Sequence, residues 1–281
     1  MEQELISIRP FLAVCVSLVV VPILLSSTDR PNVRELWTFV VGLLKFGLVV
    51  SMLPWVLKGK TVVCTLVQIL PGVSISFRVD GLGMLFALVA SFLWIFTSMY
   101  SIGYMRGLKE HSQTRFFSFF AVALSATIGV AFSANLLTLY LFYEILSLAT
   151  YPLVTHHQDK EARISGRKYL AYILGTSIGL VLPAMILCYH LAGTLEFSQQ
   201  GFLVGTASKS TLTVLLFLFV FGFAKAAIMP LHSWLPAAMV APTPVSALLH
   251  AVAVVKVGVF SIVRILTGVF GIDLLAQLNL A

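Results

Sequence analysis

The sequence predicts an all-α membrane protein that crosses the bilayer about eight times. Hydrophobic residues make up 59% of the 281 residues, whereas charged residues make up only 10%. This composition excludes an ordinary soluble domain. A helix needs about 20 predominantly apolar residues to cross the hydrocarbon core, and runs of that length recur along nearly the whole chain. The predicted spans are 10–26, 33–57, 79–105, 115–133, 135–155, 166–193, 211–240 and 243–269.

Short polar segments separate these spans. SSTDRPN follows the first span, LKGK the second, RGLKEHSQTR the third and HHQDKEARISGRK the fifth. Clusters of charged residues with Pro, Gly and Ser are typical of loops. The fourth and fifth spans are separated only near residues 133–135, which predicts a tight antiparallel hairpin of two helices.

The basic residues are unevenly divided between the two ends of the predicted helices. Cytoplasmic loops carry an excess of Lys and Arg, so the richer side is predicted to be cytoplasmic and the N-terminus to lie outside. The net charge of +7 therefore sets orientation and does not indicate nucleic-acid binding. The richer side holds Arg30, Arg34, Arg106, Lys109, Arg115, Lys160, Arg163, Arg167 and Lys168, and the other holds Arg9, Lys58, Lys60, Arg78 and Lys209.

No motif in the sequence predicts a disulfide, a metal site or a cofactor. The three cysteines, Cys15, Cys64 and Cys188, are an odd number without CxxC spacing. We find no haem pair, iron–sulfur spacing or nucleotide loop, so any enzymatic activity is expected to belong to partner subunits. The N-terminus, MEQELISIRP, lacks the basic region of a signal peptide, which favours a retained first helix.

Four charged residues lie deep inside the predicted spans. They are Glu144 in the fifth span, Lys225 in the seventh, Lys256 in the eighth and Lys45 in the second. A charge at the centre of a membrane helix costs about 2.5 to 3.5 kcal/mol on insertion scales, so each needs a partner or a function. One acid with bases on neighbouring helices favours a proton path through Glu144, Lys225 and Lys256. For Lys45 we favour a structural role, either pairing within the bundle or reaching a headgroup.

His250 precedes Lys256 by six residues, which separates the two side chains by about 240 degrees around a helix. They therefore cannot share one face. One interpretation is a relay in which each faces a different water pocket, and the alternative is a histidine hydrogen-bonded between helices. Structural roles alone are expected for His156, His157, His190 and His232.

Two prolines interrupt the seventh span. Pro230 and Pro236 lack the backbone donor that a continuous helix needs. Lipid tolerates such an interruption only where protein or water satisfies the freed carbonyls, so a broken helix that lines a cavity is predicted. Interruptions of this kind mark ion sites in transporters.

Three stretches resemble the antiporter-like subunits shared by respiratory complex I, membrane-bound hydrogenases and Mrp-type sodium/proton antiporters. They are VDGLGMLFALVASFLWIFTSMYSIGYM at 79–105, LYLFYEILSLATYPLVTH at 139–156 and AKAAIMPLHSWLPAAMVAPTPVSALLHA at 224–251. The resemblance implies three N-terminal helices within residues 1–110. It further implies one complete five-helix repeat, helices 4 to 8, within 111–281, while the family's second repeat is absent.

The resemblance also assigns roles to the buried charges. Glu144 matches the family's fifth-helix glutamate and Lys225 the lysine of its broken seventh helix, which together form a charge couple that modulates ion transfer. His250 matches the histidine of the central relay. Lys256 lies where Mrp chains of the D type, like their hydrogenase relatives, carry a lysine, which favours the D-like branch.

From the same resemblance we expect a multi-pass protein of a prokaryotic cytoplasmic membrane. Its partners would be other membrane subunits, including a chain that supplies the second repeat, and in some complexes a redox module. Protons are the expected transported ions, with sodium left open. The chain departs from the family at Ala237, after WLP, and at Val240 and Ala241, before PTP. The alternative function is a truncated or split scaffold subunit that does not conduct, in which buried charges only specify helix packing.

Overall fold

The structure, a computed structural model, describes residues 4–278 and is mainly helical. Within that range seven helices are long and apolar enough to cross a membrane. They are Arg9–Ser26, Pro31–Leu57, Gly81–Gly107, Gln113–Ala131, Leu136–Val154, Lys160–Ala192 and Thr243–Phe270. The predicted class, a helical membrane protein, is confirmed. The predicted span at 211–240 is replaced by a shorter apolar helix, Lys209–Gly222, and an irregular segment.

Thirteen α-helices and three strands make up the described part of the chain. The helices are α1 (Arg9–Ser26), α2 (Pro31–Val50), α3 (Leu53–Leu57), α4 (Gly81–Gly107), α5 (Gln113–Ala131), α6 (Leu136–Val154), α7 (Lys160–Thr176), α8 (Leu182–Ala192), α9 (Lys209–Gly222), α10 (Trp234–Ala237), α11 (Thr243–Ala247), α12 (Val254–Ile265) and α13 (Ile272–Gln277). The strands are β1 (Glu4–Ile6), β2 (Thr61–Leu70) and β3 (Val73–Val79). π-helical turns cover Ser177–Val181, Leu248–Val252 and Leu266–Phe270.

A small three-stranded sheet is the main element that the sequence did not predict. β2 lies in the middle, parallel to β1 and antiparallel to β3. Gly72 turns the hairpin with a φ of +74°, a conformation that side chains with a Cβ rarely adopt. The sequence feature that indicates this hairpin is the Pro-Gly pair at 71–72, between two stretches rich in β-branched residues.

The sheet and the loops around it form one end of the molecule. Asn135, at the start of α6, donates its side-chain amide to the Ser74 carbonyl at 2.7 Å. The Leu195 amide, after α8, donates to the Gly72 carbonyl at 3.3 Å. The sheet before α4, the loop after α5 and the loop after α8 therefore meet at the same end, as expected for spans that alternate in direction.

Basic loops form the opposite end. Arg106, at the end of α4, pairs with Glu35 of α2 at 2.6 Å. Arg115, at the start of α5, donates to the His156 carbonyl at 2.8 Å. These loops belong to the side that the charge pattern predicts to be cytoplasmic.

The interior of the bundle is built around α5. It is buried along most of its length and packs against α6 and α1. The outer helices expose large apolar side chains, such as Leu85, Phe92 and Phe96 of α4. Apolar groups on the outside are expected where lipid is the solvent. α6 packs against α5 and, through Tyr143, contacts the break that follows α9.

The break in the seventh predicted span begins earlier than the prolines suggested. α9 ends at Gly222, and residues 223–233 are irregular apart from one 3-10 turn at Ala224–Ala226. Pro230 lies inside this segment. Pro236 lies in the first turn of α10, where its missing donor removes no bond within the helix. The interruption is therefore centred near Lys225 itself.

Candidate functional site

Lys225 is fully buried in the break between α9 and α10. Its Nζ donates to the backbone carbonyl of Tyr143 and, at 2.7 Å, to the hydroxyl of Ser147. The same atom lies 3.3 Å from the centre of the Tyr143 ring. Carbonyl and hydroxyl dipoles and an aromatic face therefore hold the amine, without a direct carboxylate contact.

Three neighbouring elements fix the backbone around Lys225. Its amide donates to the Tyr143 hydroxyl of α6 at 3.2 Å. Trp234 of α10 donates its indole N–H to the Ala224 carbonyl at 3.0 Å. Gly258 of α12 packs so closely on the Lys225 backbone that a Cβ would collide with it. Contacts from α6, α10 and α12 thus fix the position of the backbone that carries the amine.

Glu144 lies beside Tyr143 on α6 but makes no ion pair with Lys225 within 4.0 Å in the described structure. Both carboxylate oxygens are shielded from solvent and make no hydrogen bond of normal geometry to any residue in 4–278. Ser177 lies nearby, although its hydroxyl donates to the Leu174 carbonyl at 3.2 Å. Glu144 and Lys225 lie close enough for their charges, when present, to influence each other. A shielded carboxylate without a direct partner is unusual and suggests a functional group.

His250 lies in the π-helical turn Leu248–Val252, and Lys256 lies in α12, which follows it. No hydrogen bond within 4–278 joins either side chain to Lys225. The His250 Nε2 is buried and has no hydrogen-bond partner in the described part of the chain. Lys256 is exposed and lines a mainly apolar cavity of about 290 Å³ between α4 and α12, beside Leu85 and Val259. The two side chains therefore have different surroundings, one interior and one at the outer face of this chain.

Lys45 is another fully buried lysine, in the bundle of α1, α2 and α4. Its Nζ donates to the Ser17 hydroxyl at 2.6 Å and lies 5.3 Å from the centre of the Trp94 ring. No acidic side chain forms an ion pair with it within the described range. These contacts tie three helices together, in keeping with the structural role expected from the sequence.

Sequence reasoning missed an ion pair between Asp80 and Arg264. The Arg264 Nη2 donates to Asp80 Oδ1 at 2.9 Å, and its Nη1 pairs with Oδ2. Asp80 also caps α4 by accepting the Gly83 amide at 2.8 Å. Burial by itself would raise the pKa of Asp80, but Arg264 and the Gly83 amide hold that pKa below its usual value. The cap could be predicted from the sequence, because an acidic residue precedes an apolar run. The ion pair could not, because Arg264 lies 184 residues away from Asp80 in the chain.

A helix bundle with a helix broken at a buried lysine, beside a shielded carboxylate, is an arrangement typical of membrane ion transporters. Two family models match the chain. One, described as NADH:quinone oxidoreductase/Mrp antiporter, TM, covers residues 133–277. The other, NADH-Ubiquinone oxidoreductase (complex I), chain 5 N-terminus, covers residues 71–117. The chain belongs to the NADH:quinone oxidoreductase/Mrp antiporter family of integral, multi-pass membrane subunits.

Curated relatives agree with this family. The A-type subunit of the Na(+)/H(+) antiporter of Alkalihalophilus pseudofirmus is 34% identical over 232 residues, which cover 80% of this chain and 26% of that protein. The corresponding A1-type subunit of Staphylococcus aureus is 32% identical over 231 residues, covering 80% and 28%. The chain thus spans about a quarter of the length of these relatives. Both relatives are of the A type, so they give no support to the D-like branch that Lys256 favoured.

Solved structures share the fold. The membrane-bound sulfane sulfur reductase, an archaeal respiratory membrane complex, matches with a TM-score of 0.82 at 22% identity, over 97% of this chain and 56% of that chain. The Mrp complex from Dietzia sp. DQ12-45-1b matches with a TM-score of 0.77 at 23% identity, over 92% and 48%. At these identities the matches establish the common fold.

Proposed function

We propose that this chain translocates protons as a membrane subunit of an Mrp-type antiporter or complex I-like assembly, with Lys225 as the switching group. One observation carries the proposal. Lys225 is buried in a helix break and held by Tyr143 and Ser147, while the shielded Glu144 acts on it from nearby. Sodium is the alternative coupled ion, since the relatives are named Na(+)/H(+) antiporter subunits.

In the proposed mechanism Glu144 controls the charge on Lys225. While Glu144 is close, it stabilises the protonated amine. When a neighbouring subunit shifts α6, that stabilisation weakens and Lys225 releases its proton towards His250. The His250 Nε2 is buried and lacks a partner, so it is available as an acceptor. Lys256 would continue the path towards the outer face of this chain.

The proposed setting is a multisubunit assembly in a bacterial cytoplasmic membrane. It is supported by relatives named as parts of antiporters and by similar chains in two solved membrane complexes. The exposed position of Lys256 also favours a neighbour at that face, because a lysine among apolar groups in the membrane needs water or a partner. We propose that the neighbour is the second five-helix repeat.

Replacing the switching lysine tests the mechanism. In the complete assembly, Lys225→Met is expected to abolish proton-coupled antiport in inverted vesicles, because Met fills a similar volume but carries no proton. Lys45→Met is the matched control, since Lys45 is equally buried and also donates to a serine. It should retain antiport, as an apolar replacement of a buried charge is often neutral. Normal antiport in Lys225→Met would overturn the mechanism.

A second variant separates transport from a purely structural role. The scaffold alternative is favoured by buried charges that join distant helices, such as Asp80 with Arg264. Glu144→Gln keeps the shape of the side chain but removes its charge. We expect the assembly to form in normal amounts and to lose most antiport, whereas exposed Glu161→Gln should preserve both. Full transport with Glu144→Gln would favour the scaffold.

A further inference from the structure

A cluster of three histidines and one glutamate lies at the basic end of the molecule, outside the proposed ion path. Glu110 and His111 belong to the turn between α4 and α5, and His156 and His157 follow α6. One ligand atom from each of Glu110, His111 and His157 lies within 4.8 Å of the other two. No motif predicted this cluster, because two helices separate the two pairs along the chain.

One carboxylate oxygen occupies the centre of the cluster. Glu110 Oε2 lies 3.9 Å from His111 Nδ1, 3.7 Å from His156 Nε2 and 3.8 Å from His157 Nδ1. A tetrahedral zinc site, with bonds of about 2.0 to 2.1 Å, places its ligand atoms about 3.4 Å apart. The distances from Glu110 Oε2 exceed this separation by about 0.3 to 0.5 Å. The ligand atoms of Glu110, His111 and His157 lie within 4.8 Å of one another, so some pairs would have to close by up to about 1.4 Å to coordinate one ion.

The backbone sets the tautomer of His111. Its Nε2 lies 3.0 Å from the carbonyl oxygen of His156. A carbonyl only accepts hydrogen bonds, so in the neutral ring Nε2 carries the proton and Nδ1 presents its lone pair towards Glu110. A carbonyl that accepts from the second ring nitrogen is the usual support of a metal-bound histidine.

His156 supplies an independent observation. Its side chain is 0% exposed, and among the described residues neither ring nitrogen has a hydrogen-bond partner of normal geometry. Buried polar groups are normally hydrogen-bonded, and coordination of an ion at Nε2 would give one of these two nitrogens a partner.

The cluster is open to water on one side. The side chains of His111 and His157 are 49% and 36% exposed, whereas those of Glu110 and His156 are 13% and 0% exposed. An ion can therefore arrive from the aqueous phase at the exposed histidines and be held by the buried pair. Arg115 contacts the His156 carbonyl and leaves the ring nitrogens free.

We propose that Glu110, His111, His156 and His157 bind one divalent transition metal ion of the zinc type. Imidazole nitrogens with a single carboxylate suit Zn²⁺, whereas Ca²⁺ and Mg²⁺ require mainly oxygen ligands. The bound ion would clamp the turn after α4 to the end of α6, the helix that carries Glu144. On the basis of the proposed function, this clamp restrains α6 and inhibits transport.

Metal counting tests the site without reference to transport. The complete assembly is purified through an affinity tag that contains no histidine, stripped with EDTA and titrated with Zn²⁺ alone. The wild type should bind one more ion per chain than the double variant His111→Ala/His157→Ala. Loss of a residue that only hydrogen-bonds to a metal ligand typically weakens metal binding by about 10- to 100-fold. Loss of two direct ligands should weaken it by more than this.

Matched variants keep the result interpretable. His190→Ala/His232→Ala removes two exposed histidines outside the cluster and should leave the ion count unchanged. Glu110→Gln preserves side-chain shape and must also weaken binding, which covers the case in which the double histidine variant fails to assemble. Equal zinc counts in the wild type and Glu110→Gln would overturn the site. Zinc binding without inhibition of antiport would support the metal site but overturn the proposal that bound zinc inhibits transport by restraining α6.

Discussion

Lys225 and Lys45 are both fully buried, and each amine donates to a serine hydroxyl, yet their surroundings differ. Lys225 lies in a helix break, next to the ring of Tyr143 and within reach of the charge on Glu144. Lys45 lies within the continuous helix α2, and its amine contacts Ser17 of α1 and the ring of Trp94 of α4. Burial alone therefore does not separate the proposed switching group from the structural lysine; the interrupted backbone and the nearby acid are the features that differ.

The close backbone approach at Lys225 leads to a prediction at Gly258. In a helix interior alanine is ordinarily favoured over glycine by about 0.5 to 1 kcal/mol. At position 258, however, a Cβ would meet the backbone of Lys225 and Ala226. Gly258→Ala should therefore displace the lysine and reduce antiport in vesicles by about tenfold or more.

Gly103→Ala is the control for this displacement. Gly103 lies in α4, and a Cβ there meets nothing within 4 Å, so this variant should transport normally. If Gly258→Ala and Gly103→Ala transport equally well, the placement of Lys225 is not set by packing against α12.

At the scale of elements, side-chain caps and ion pairs decide where the membrane helices begin. Asp80, Asn135, Asp159 and Ser208 each accept a backbone amide at the start of a helix. Asp80 does more, because it also neutralises Arg264 near the end of α12. One carboxylate thus links the start of α4 to the end of the helix that carries Lys256.

Two substitutions separate the functions of Asp80. Asp80→Asn keeps an acceptor for the Gly83 amide but leaves Arg264 without a counter-charge, and removing one partner of a buried pair costs about 3 to 5 kcal/mol. Asp80→Ala also loses the cap, which contributes about 0.5 to 2 kcal/mol. We expect the apparent melting temperature in detergent to fall by several degrees for Asp80→Asn and further for Asp80→Ala.

The pH dependence of this pair follows from the direction of the shift. The folded pKa of Asp80 lies below its ordinary value of 3.8, so the stabilisation is present above that value and is lost as the pH falls through the folded pKa. The difference in melting temperature between wild type and Asp80→Asn should therefore stay constant between about pH 5 and 8. A difference that disappears within this range would contradict the ion pair.

At the scale of the whole molecule, the two ends have different characters. One end carries the sheet and its hydrogen bonds to the loops after α5 and α8. The other carries the basic loops, the Arg106 and Glu35 pair and the histidine cluster. The positive charge of the second end predicts that it faces the cytoplasm, which places the proposed zinc site there and the N-terminus outside.

Labelling of single cysteines tests this orientation. In a chain whose native cysteines are replaced by alanine, Lys58→Cys and Glu161→Cys place exposed thiols at opposite ends. A membrane-impermeant maleimide added to whole cells should label Lys58→Cys, whereas Glu161→Cys should react only in inverted vesicles. The reverse pattern would contradict the predicted orientation.

Much of the candidate site was accessible from the sequence, and the reason is physical. A charge within an apolar run stands out because lipid cannot solvate it, so Glu144, Lys225 and Lys256 were identifiable without coordinates. The same holds for the membrane class, for the tight hairpin before Asn135 and for the family resemblance. The division into three helices and one repeat stays a prediction, as does the assignment of a proton path.

The membrane class and the identity of the unusual charges thus follow from the chain's residues alone, because each depends on local composition. The partners of those charges follow only from the folded arrangement. It places Ser147 and the Tyr143 carbonyl around Lys225, Arg264 against Asp80 and three histidines around Glu110. It also ends α9 at Gly222 and adds the sheet. Contacts between residues far apart in the chain depend on how the helices pack, and helical periodicity alone does not encode that packing.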